Sequence, residues 1–178
     1  MIIEAIIKQY DFNLDYAKAL VIDLSDDQMT TIPANGLDNH PAWTIGHLIS
    51  GSADLACDLG AEFEMPDNWA ELFVRKGPGD PRKPILDKSK YPSKHQLIVE
   101  LENQHNKVKQ LLQKIDTNGL TESVTWHFSN YMPTLSDLVT FMCINHESMH
   151  LGQLAAWRRA MGLESALANV KHNKEPYR

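Results

Sequence analysis

Residues 134–161 read TLSDLVTFMCINHESMHLGQLAAWRRAM, and this stretch decides the fold. Apolar side chains recur in it every three or four residues, which is the period of one face of a helix. Thr134 and Asp137 have the spacing of a capping box, and Gly162 follows the last periodic residue. The stretch therefore predicts one helix of about 40 Å from Thr134 to Met161. Its predicted inward stripe comprises Leu135, Leu138, Met142, His146, Met149 or His150, Gln153, Trp157 and Ala160.

Three further stretches have the same period, and none alternates like a strand. Helices are predicted over about residues 2–24, from the N-cap Asn39 or His40 to near Gly60, and from Ser93 to Asn118-Gly119. A long connection over residues 61–92 holds a short helical piece at Asp67–Val74, and residues 163–178 add a short helix and a polar tail. Four long amphipathic helices predict an all-α four-helix bundle, formed by a single domain over residues 1–178. The long connection leaves both an alternating and an up-up-down-down course open.

Composition excludes several classes of protein. The 178 residues carry 17 Lys and Arg against 23 Asp and Glu, a formal charge of −6, so we expect neither nucleic acid nor a membrane surface as partner. No run of about 18 apolar residues is present to span a membrane. The first ten residues contain Glu4 and lack the basic start of a secretory signal. Two cysteines are too few for a disulfide scaffold, so we expect a cytoplasmic protein.

The connection is basic although the chain is acidic. Between Arg75 and Lys90 lie six basic and two acidic residues among several Pro and Gly. Such a stretch is typical of a solvated loop, and it also suits a flap that attracts an anionic ligand. The sequence leaves both interpretations open.

The last predicted helix carries two histidines on one face. His146 and His150 are four residues apart and fall on the predicted inward stripe. A single inward histidine is most often a satisfied core residue. Two buried imidazoles without a shared partner are costly, and a divalent metal ion is the simplest partner that satisfies both.

A third ligand is expected from the second predicted helix. His47 lies beside the inward residues Ile45 and Leu48, with Trp43 one turn earlier, and Gly46 would let the helices come near each other. Three imidazoles from two helices leave at least one coordination position open, as in catalytic sites. Neutral nitrogen ligands suit Zn, Ni or Fe, and the sequence does not choose among them.

Residues 146–150 also match the H-E-x-x-H motif of zinc proteases. The later Gly and His of the long form of that motif are missing, because Gln153 and Ala156 occupy the corresponding region. No strand is predicted that would hold an extended peptide. We therefore interpret the match as coincidence, with Glu147 a supporting or surface carboxylate that is able to accept a proton.

The chain resembles the DinB/YfiT-like superfamily of four-helix-bundle metalloproteins through two motifs. One is Asn39-x-x-x-Trp43-x-x-x-His47-Leu48, and the other is His146-x-x-x-His150-x-Gly152-Gln153-Leu154 followed by Trp157-Arg158-Arg159-x-Met161-Gly162. The resemblance implies a metal centre with His47, His146 and His150 as ligands, and frequent homodimers. It also implies thiol S-transferases that use bacillithiol or mycothiol, a mycothiol-dependent isomerase, or metal-dependent hydrolases.

These observations lead to a functional hypothesis with two rivals. A divalent metal would activate a low-molecular-weight thiol, the co-substrate, for transfer to a small electrophile, with Glu147 as proton acceptor. Arg158, Arg159 or the basic connection would bind carboxylates of the thiol, although both arginines also suit the C-terminal end of a helix dipole. The rivals are metal-dependent hydrolysis of a small substrate and a non-catalytic bundle that binds metal or a partner. His127 is a further residue able to approach the site from its loop.

Overall fold

The helices of the protein follow the predicted order. The computed structural model describes residues 2–33, 37–116 and 118–170, and within these ranges it contains no strand, only an isolated bridge between Ser123 and Thr134. The α-helices are α1 (Ile2–Val21), α2 (Asp26–Met29), α3 (Pro41–Asp58), α4 (Trp69–Phe73), α5 (Lys94–Lys114), α6 (Leu135–Thr140) and α7 (Glu147–Ala160). Single turns of 3-10 helix lie at Lys88–Lys90, Gly119–Thr121 and Leu167–Asn169. None of the described helices is both long and apolar enough to cross a membrane.

Side-chain caps fix where the long helices begin. The Nδ1 atom of His40 accepts a hydrogen bond from the backbone amide of Trp43 at 3.1 Å, and Pro41 follows as the first residue of the helix. His40 is therefore the N-cap of α3. Ser93 with Gln96 and Thr134 with Asp137 form complete capping boxes, as the sequence predicts. A further capping box at Ser25 starts α2, and the first long helix ends at Val21 rather than near residue 24.

The four long helical bodies form a bundle in which α1 and α3 each pack against α5 and α7. Their shared interior contains fully buried side chains from all four, among them Leu20, Leu48, Leu101 and Leu154. The all-α bundle predicted from the sequence is therefore confirmed. The predicted tail over residues 171–178 lies outside the described residues.

The long connection packs onto the bundle through α4. The ring of Phe73 is fully buried against Gly46 of α3, where a Cβ atom would stand 2.3 Å from the ring. Only glycine permits this approach. Gly46 thus lets the short helix α4 of the connection, rather than another long helix of the bundle, approach α3.

The last long helix is interrupted by a π-helical segment, Phe141–His146, between α6 and α7. A π turn contains one residue more than an α turn, so it changes which residues downstream face the core. The buried residues of the helix formed by α6, the π segment and α7 are Leu135, Leu138, Val139, Cys143, Glu147, Leu151, Leu154, Trp157 and Arg158.

This finding corrects the predicted inward stripe. Met142, His146, His150 and Gln153 are not buried in the core; they line a cleft beside it. An unbroken α-helix would have carried them inward. The π segment turns the helix by about one residue, or about 100°, and moves both histidines to the surface of the cleft.

Candidate metal centre

Three histidines from two helices converge on one point. His47 of α3, His146 at the end of the π segment and His150 of α7 offer ring nitrogens that all lie within 4.8 Å of one another. The Nε2 atoms of His47 and His146 are 3.4 Å apart. The ring centroids are separated by 4.7 Å for two of the pairs and 5.2 Å for the third, and each side chain is half-buried.

The carbonyl of Phe73 orients the imidazole of His47. The Nδ1 atom of His47 lies 3.1 Å from this oxygen and donates to it in the tautomer that leaves Nε2 unprotonated. The indole of Trp43 stacks on the imidazole of His47, with ring centroids 5.0 Å apart and planes 13° from parallel. A carbonyl that fixes one nitrogen and frees the other is typical of metal-binding histidines.

A glycine on α3 makes room for His146. A Cβ atom at Gly51 would stand 2.9 Å from the Cε1 atom of His146, which is closer than side chains tolerate. The ring therefore packs directly against the backbone of α3. Gly51, one turn beyond His47, and the π segment together determine where His146 points.

All three imidazoles are neutral at neutral pH. Burial lowers the pKa of His146 to about 3 and that of His150 to about 4, and the neighbouring histidines lower both. Burial, together with the positive charge of Arg75, also lowers the pKa of His47. Three neutral nitrogen donors without a carboxylate partner are the donor set of a catalytic zinc or similar divalent ion.

The spacing of the donors fits such an ion. Two nitrogens bound to one tetrahedral zinc at about 2.05 Å stand about 3.3 Å apart. The 3.4 Å between the Nε2 atoms of His47 and His146 is close to this value.

The histidines lie in an open cleft of about 710 Å³ between α3, α7 and the connection. One wall is aromatic: Trp126, Phe128 and Phe141 contact one another with ring centroids 5.3 to 5.4 Å apart. His127 also lines the cleft, as the sequence analysis anticipated. The volume is that of a site for a small organic molecule.

The basic connection forms the opposite rim. Arg75, Arg82 and Lys83 all line the cleft. Arg82 pairs with Asp80 and Lys83 pairs with Asp38 at 3.2 Å. The guanidinium of Arg75 lies 4.6 Å above the centroid of the Trp43 ring. Residues 75–83 therefore belong to the cleft rather than to a detached loop.

Glu147 does not join the three histidines. Its side chain is 2% exposed, it lies outside the cleft, and its Oε1 atom is 3.2 Å from Nε2 of the fully buried His105. Tyr10 stacks on His105 with centroids 3.8 Å apart. Burial and the charge of Glu147 raise the pKa of Tyr10 and of Cys143. The predicted proton acceptor thus occupies the interior of the bundle.

The two predicted cofactor-binding arginines also lie away from the cleft. Arg158 is buried, pairs with Asp23 at 2.6 and 2.9 Å, and donates to the carbonyls of Leu20 and Glu164. Arg159 is exposed and does not line the cleft. Arg158 holds the end of α7 to the end of α1 and to the segment after α7.

Asp54 also lines the cleft, although no sequence pattern singled it out. It follows His47 by seven residues, two turns along the same face of α3, with Gly51 between them. Partial desolvation and the nearby charge of Asp58 raise the pKa of Asp54 to about 6. Its spacing from His47 was the available signal, but an acidic residue on an amphipathic helix is ordinarily a solvated surface residue.

Comparisons with known proteins agree with this architecture. The crystal structure of a conserved protein of locus from Enterococcus faecalis superposes with a TM-score of 0.68, covering 89% of this chain and 96% of that one at 17% identity, which shows a shared fold. The comparison with curated proteins found no match. The family model of the DinB superfamily matches residues 9–154. With four-fifths of its length inside that match and its helices in the same arrangement, the chain belongs to the DinB superfamily.

Proposed function

We propose that the chain binds one divalent metal ion through His47, His146 and His150 and uses it to transfer a low-molecular-weight thiol to a small electrophile. The observation that carries this proposal is the convergence of three neutral ring nitrogens at the floor of an open cleft. A structural site would be closed by a fourth protein ligand, and among the described residues the cluster holds only these three. The three histidines line the cleft, so a small molecule would have access to an ion that they held.

When bound, the ion would supply Lewis-acid chemistry that lowers the pKa of a thiol in the cleft. The chain's own residues would prepare the site. Phe73 and Trp43 hold the His47 ring in one orientation, so the ligand nitrogen is presented without a cost in rotamer freedom. The aromatic wall of Trp126, Phe128 and Phe141 would exclude water from the electrophile's side.

Asp54 is the carboxylate that suits proton transfer in this cleft. A general base works best when its pKa lies near the working pH, and that of Asp54 is raised to about 6. Its carboxylate oxygen would accept the proton that the thiol loses. Glu147, the acceptor expected from the sequence, is separated from the cleft by its pairing with His105.

The first experiment measures metal content and metal-dependent stability. Protein purified without a nickel column should contain about one divalent ion per chain, and chelation should lower the melting temperature, because an ion that binds only the folded state at 100 times its Kd adds about 2.7 kcal/mol. His146→Ala should lose both properties. His95→Ala, which removes an exposed histidine of α5, is the matched control and should keep them.

The second measurement separates transfer from hydrolysis. A panel of thiols with a chromogenic electrophile should give a rate that depends on thiol concentration in the metal-loaded protein and is absent in His146→Ala. Ester cleavage that is independent of thiol would instead identify a hydrolase that uses the same ligands. Metal far below one equivalent, with melting unchanged by chelation, would contradict both activities.

A further inference from the structure

One cation at the rim of the cleft has no acidic partner. Of the three basic residues that line it, Arg82 makes a bidentate pair with Asp80, and Lys83 is bonded to Asp38. Arg75 makes no ion pair among the described residues, and its Nη2 atom is buried without a hydrogen-bond partner. The rim therefore has one uncompensated positive charge, located on a single side chain.

The position of that charge is fixed by stacking. The guanidinium carbon of Arg75 lies 4.6 Å from the centroid of the Trp43 ring, and the imidazole of His47 stacks on the same indole with ring centroids 5.0 Å apart. Trp43 thus contacts both Arg75 and His47. Arg75 lines the cleft, and the planar fork of guanidinium N–H groups suits a planar anion.

Other groups of the cleft do not fill this role. Asp80 is the acidic side chain that acts on Arg75 electrostatically, and it is already bonded to Arg82 and to the amide of Lys76. Asp54 lies two turns from His47 on the same face of α3, and the charge that raises its pKa is that of Asp58. A buried donor without a partner costs free energy that a bound anion would recover.

We propose that Arg75 is the binding site for a carboxylate of the small-molecule substrate, so that the cleft selects monoanionic thiols or electrophiles over neutral ones. This inference rests on the proposed function for the identity of the molecule, but not for the recognition of its charge. One uncompensated guanidinium matches one carboxylate in charge and in planar, two-pronged geometry. A substrate held there would extend along Trp43 toward the three histidines.

The test measures binding by spectroscopy rather than by turnover. Protein loaded with cobalt(II) is titrated with ω-mercapto acids of two, three and four methylenes and with the corresponding neutral amides, and the thiolate–cobalt absorption band is followed. At least one acid should bind about tenfold tighter than its amide, as expected for one charge-assisted pair. In Arg75→Gln the acid and the amide should bind within about twofold of each other.

The matched control is Lys83→Gln, which removes the same charge from the same rim but leaves Arg75 in place. It should keep the preference for the acid, and unchanged cobalt d–d bands would verify that each variant retains its metal site. Equal affinity for acid and amide in the wild type, or an equal loss in both variants, would overturn the inference and leave the proposed function intact.

A second pair of probes separates the two proposals. If no thiol produces the band, the proposed thiol chemistry fails, and a carboxylate-bearing hydroxamate is compared with its neutral amide on the same loaded protein. A preference for the acid that disappears in Arg75→Gln would then still support the carboxylate site. No binding of either hydroxamate would overturn it as well.

Discussion

Two clusters of polar side chains lie on adjacent residues of the last helix and differ in every respect that matters for function. In the interior, Glu147 and His105 are each at most 2% exposed, and each is the other's hydrogen-bond partner. In the cleft, His146 and His150 are half-buried and converge with a third histidine, His47. Even in the interior, Nδ1 of His105 and Oε2 of Glu147 have no hydrogen-bond partner among the described residues, so an unmet bonding capacity does not by itself mark a binding site. What sets the cleft apart is that its three ring nitrogens converge and line a space that a small molecule can enter.

The interior pair should matter most for stability. Removing one partner of a buried pair leaves the other unsatisfied, so Glu147→Ala should lower the free energy of unfolding by about 3 kcal/mol. Urea denaturation of the metal-free protein measures this effect. Glu122→Ala, at an exposed position, should change stability by less than about 0.5 kcal/mol. A loss in Glu147→Ala no larger than in that control would remove the distinction between the two clusters.

Asp54 should matter for activity and not for stability. Asp54→Asn should reduce the transfer rate by about a hundredfold, the typical contribution of a general base, with metal content unchanged. Asp58→Asn alters the neighbouring acid one turn along α3, which does not line the cleft, and should retain most of the activity. Equal rates for both variants would show that Asp54 accepts no proton in the reaction.

The position of the His146 ring should be sensitive to a single methyl group added to α3. Gly51→Ala places a Cβ atom against the imidazole, so metal affinity should fall by about tenfold as the ring is displaced. Gly152→Ala adds the same group to α7, where nothing lies within 4 Å, and should leave affinity unchanged while slightly raising stability. Isothermal titration with zinc compares the two, and an unaltered affinity in Gly51→Ala would mean that the ring position is not critical.

The smallest expected effect concerns His40, which belongs to neither of the two clusters. His40 caps α3 and burial lowers its pKa to about 4, so the unfolded chain binds its proton first, near pH 6.5. Stability from this group is present above pH 6.5 and is lost as the pH falls toward 4. Between pH 7 and 5.5 the loss is about 1 kcal/mol.

Replacing His40 with Asn keeps a capping acceptor without a titrating group. Denaturation at both pH values should therefore show a decrease in stability that is about 1 kcal/mol smaller in His40→Asn than in the wild type. A difference of the opposite sign would mean that the His40 ring is protonated in the folded protein.

The sequence predicted much of this arrangement because periodicity and capping are local properties. The helices, the caps at Ser93 and Thr134 and the pairing of His146 with His150 follow from residue spacing alone. The orientation of the last helix did not follow, because no residue pattern marks where one extra residue enters a helical turn. For that reason the sequence pattern predicts a supporting or surface position for Glu147, whereas its side chain lies in the core.

The remaining differences depend on contacts between distant segments. Arg75 acquires its position from Trp43, which is thirty-two residues earlier, and Phe73 reaches the His47 ring from the connection. Neither contact leaves a trace in local composition. Arg158 was a candidate ligand for a cofactor because the partner that occupies it, Asp23, lies far away in the sequence.

The π segment has a consequence for how the spacing of ligands should be compared between chains. The helix from Leu135 to Ala160 contains one residue more than an uninterrupted α-helix with the same number of turns. A homologous helix of uniform α geometry can present its histidines to the same cleft only by being one residue shorter between its N-terminal cap and its first ligand. Aligned without a gap at Phe141–His146, two such chains would pair ligands with core residues, although their metal-binding surfaces coincide in space.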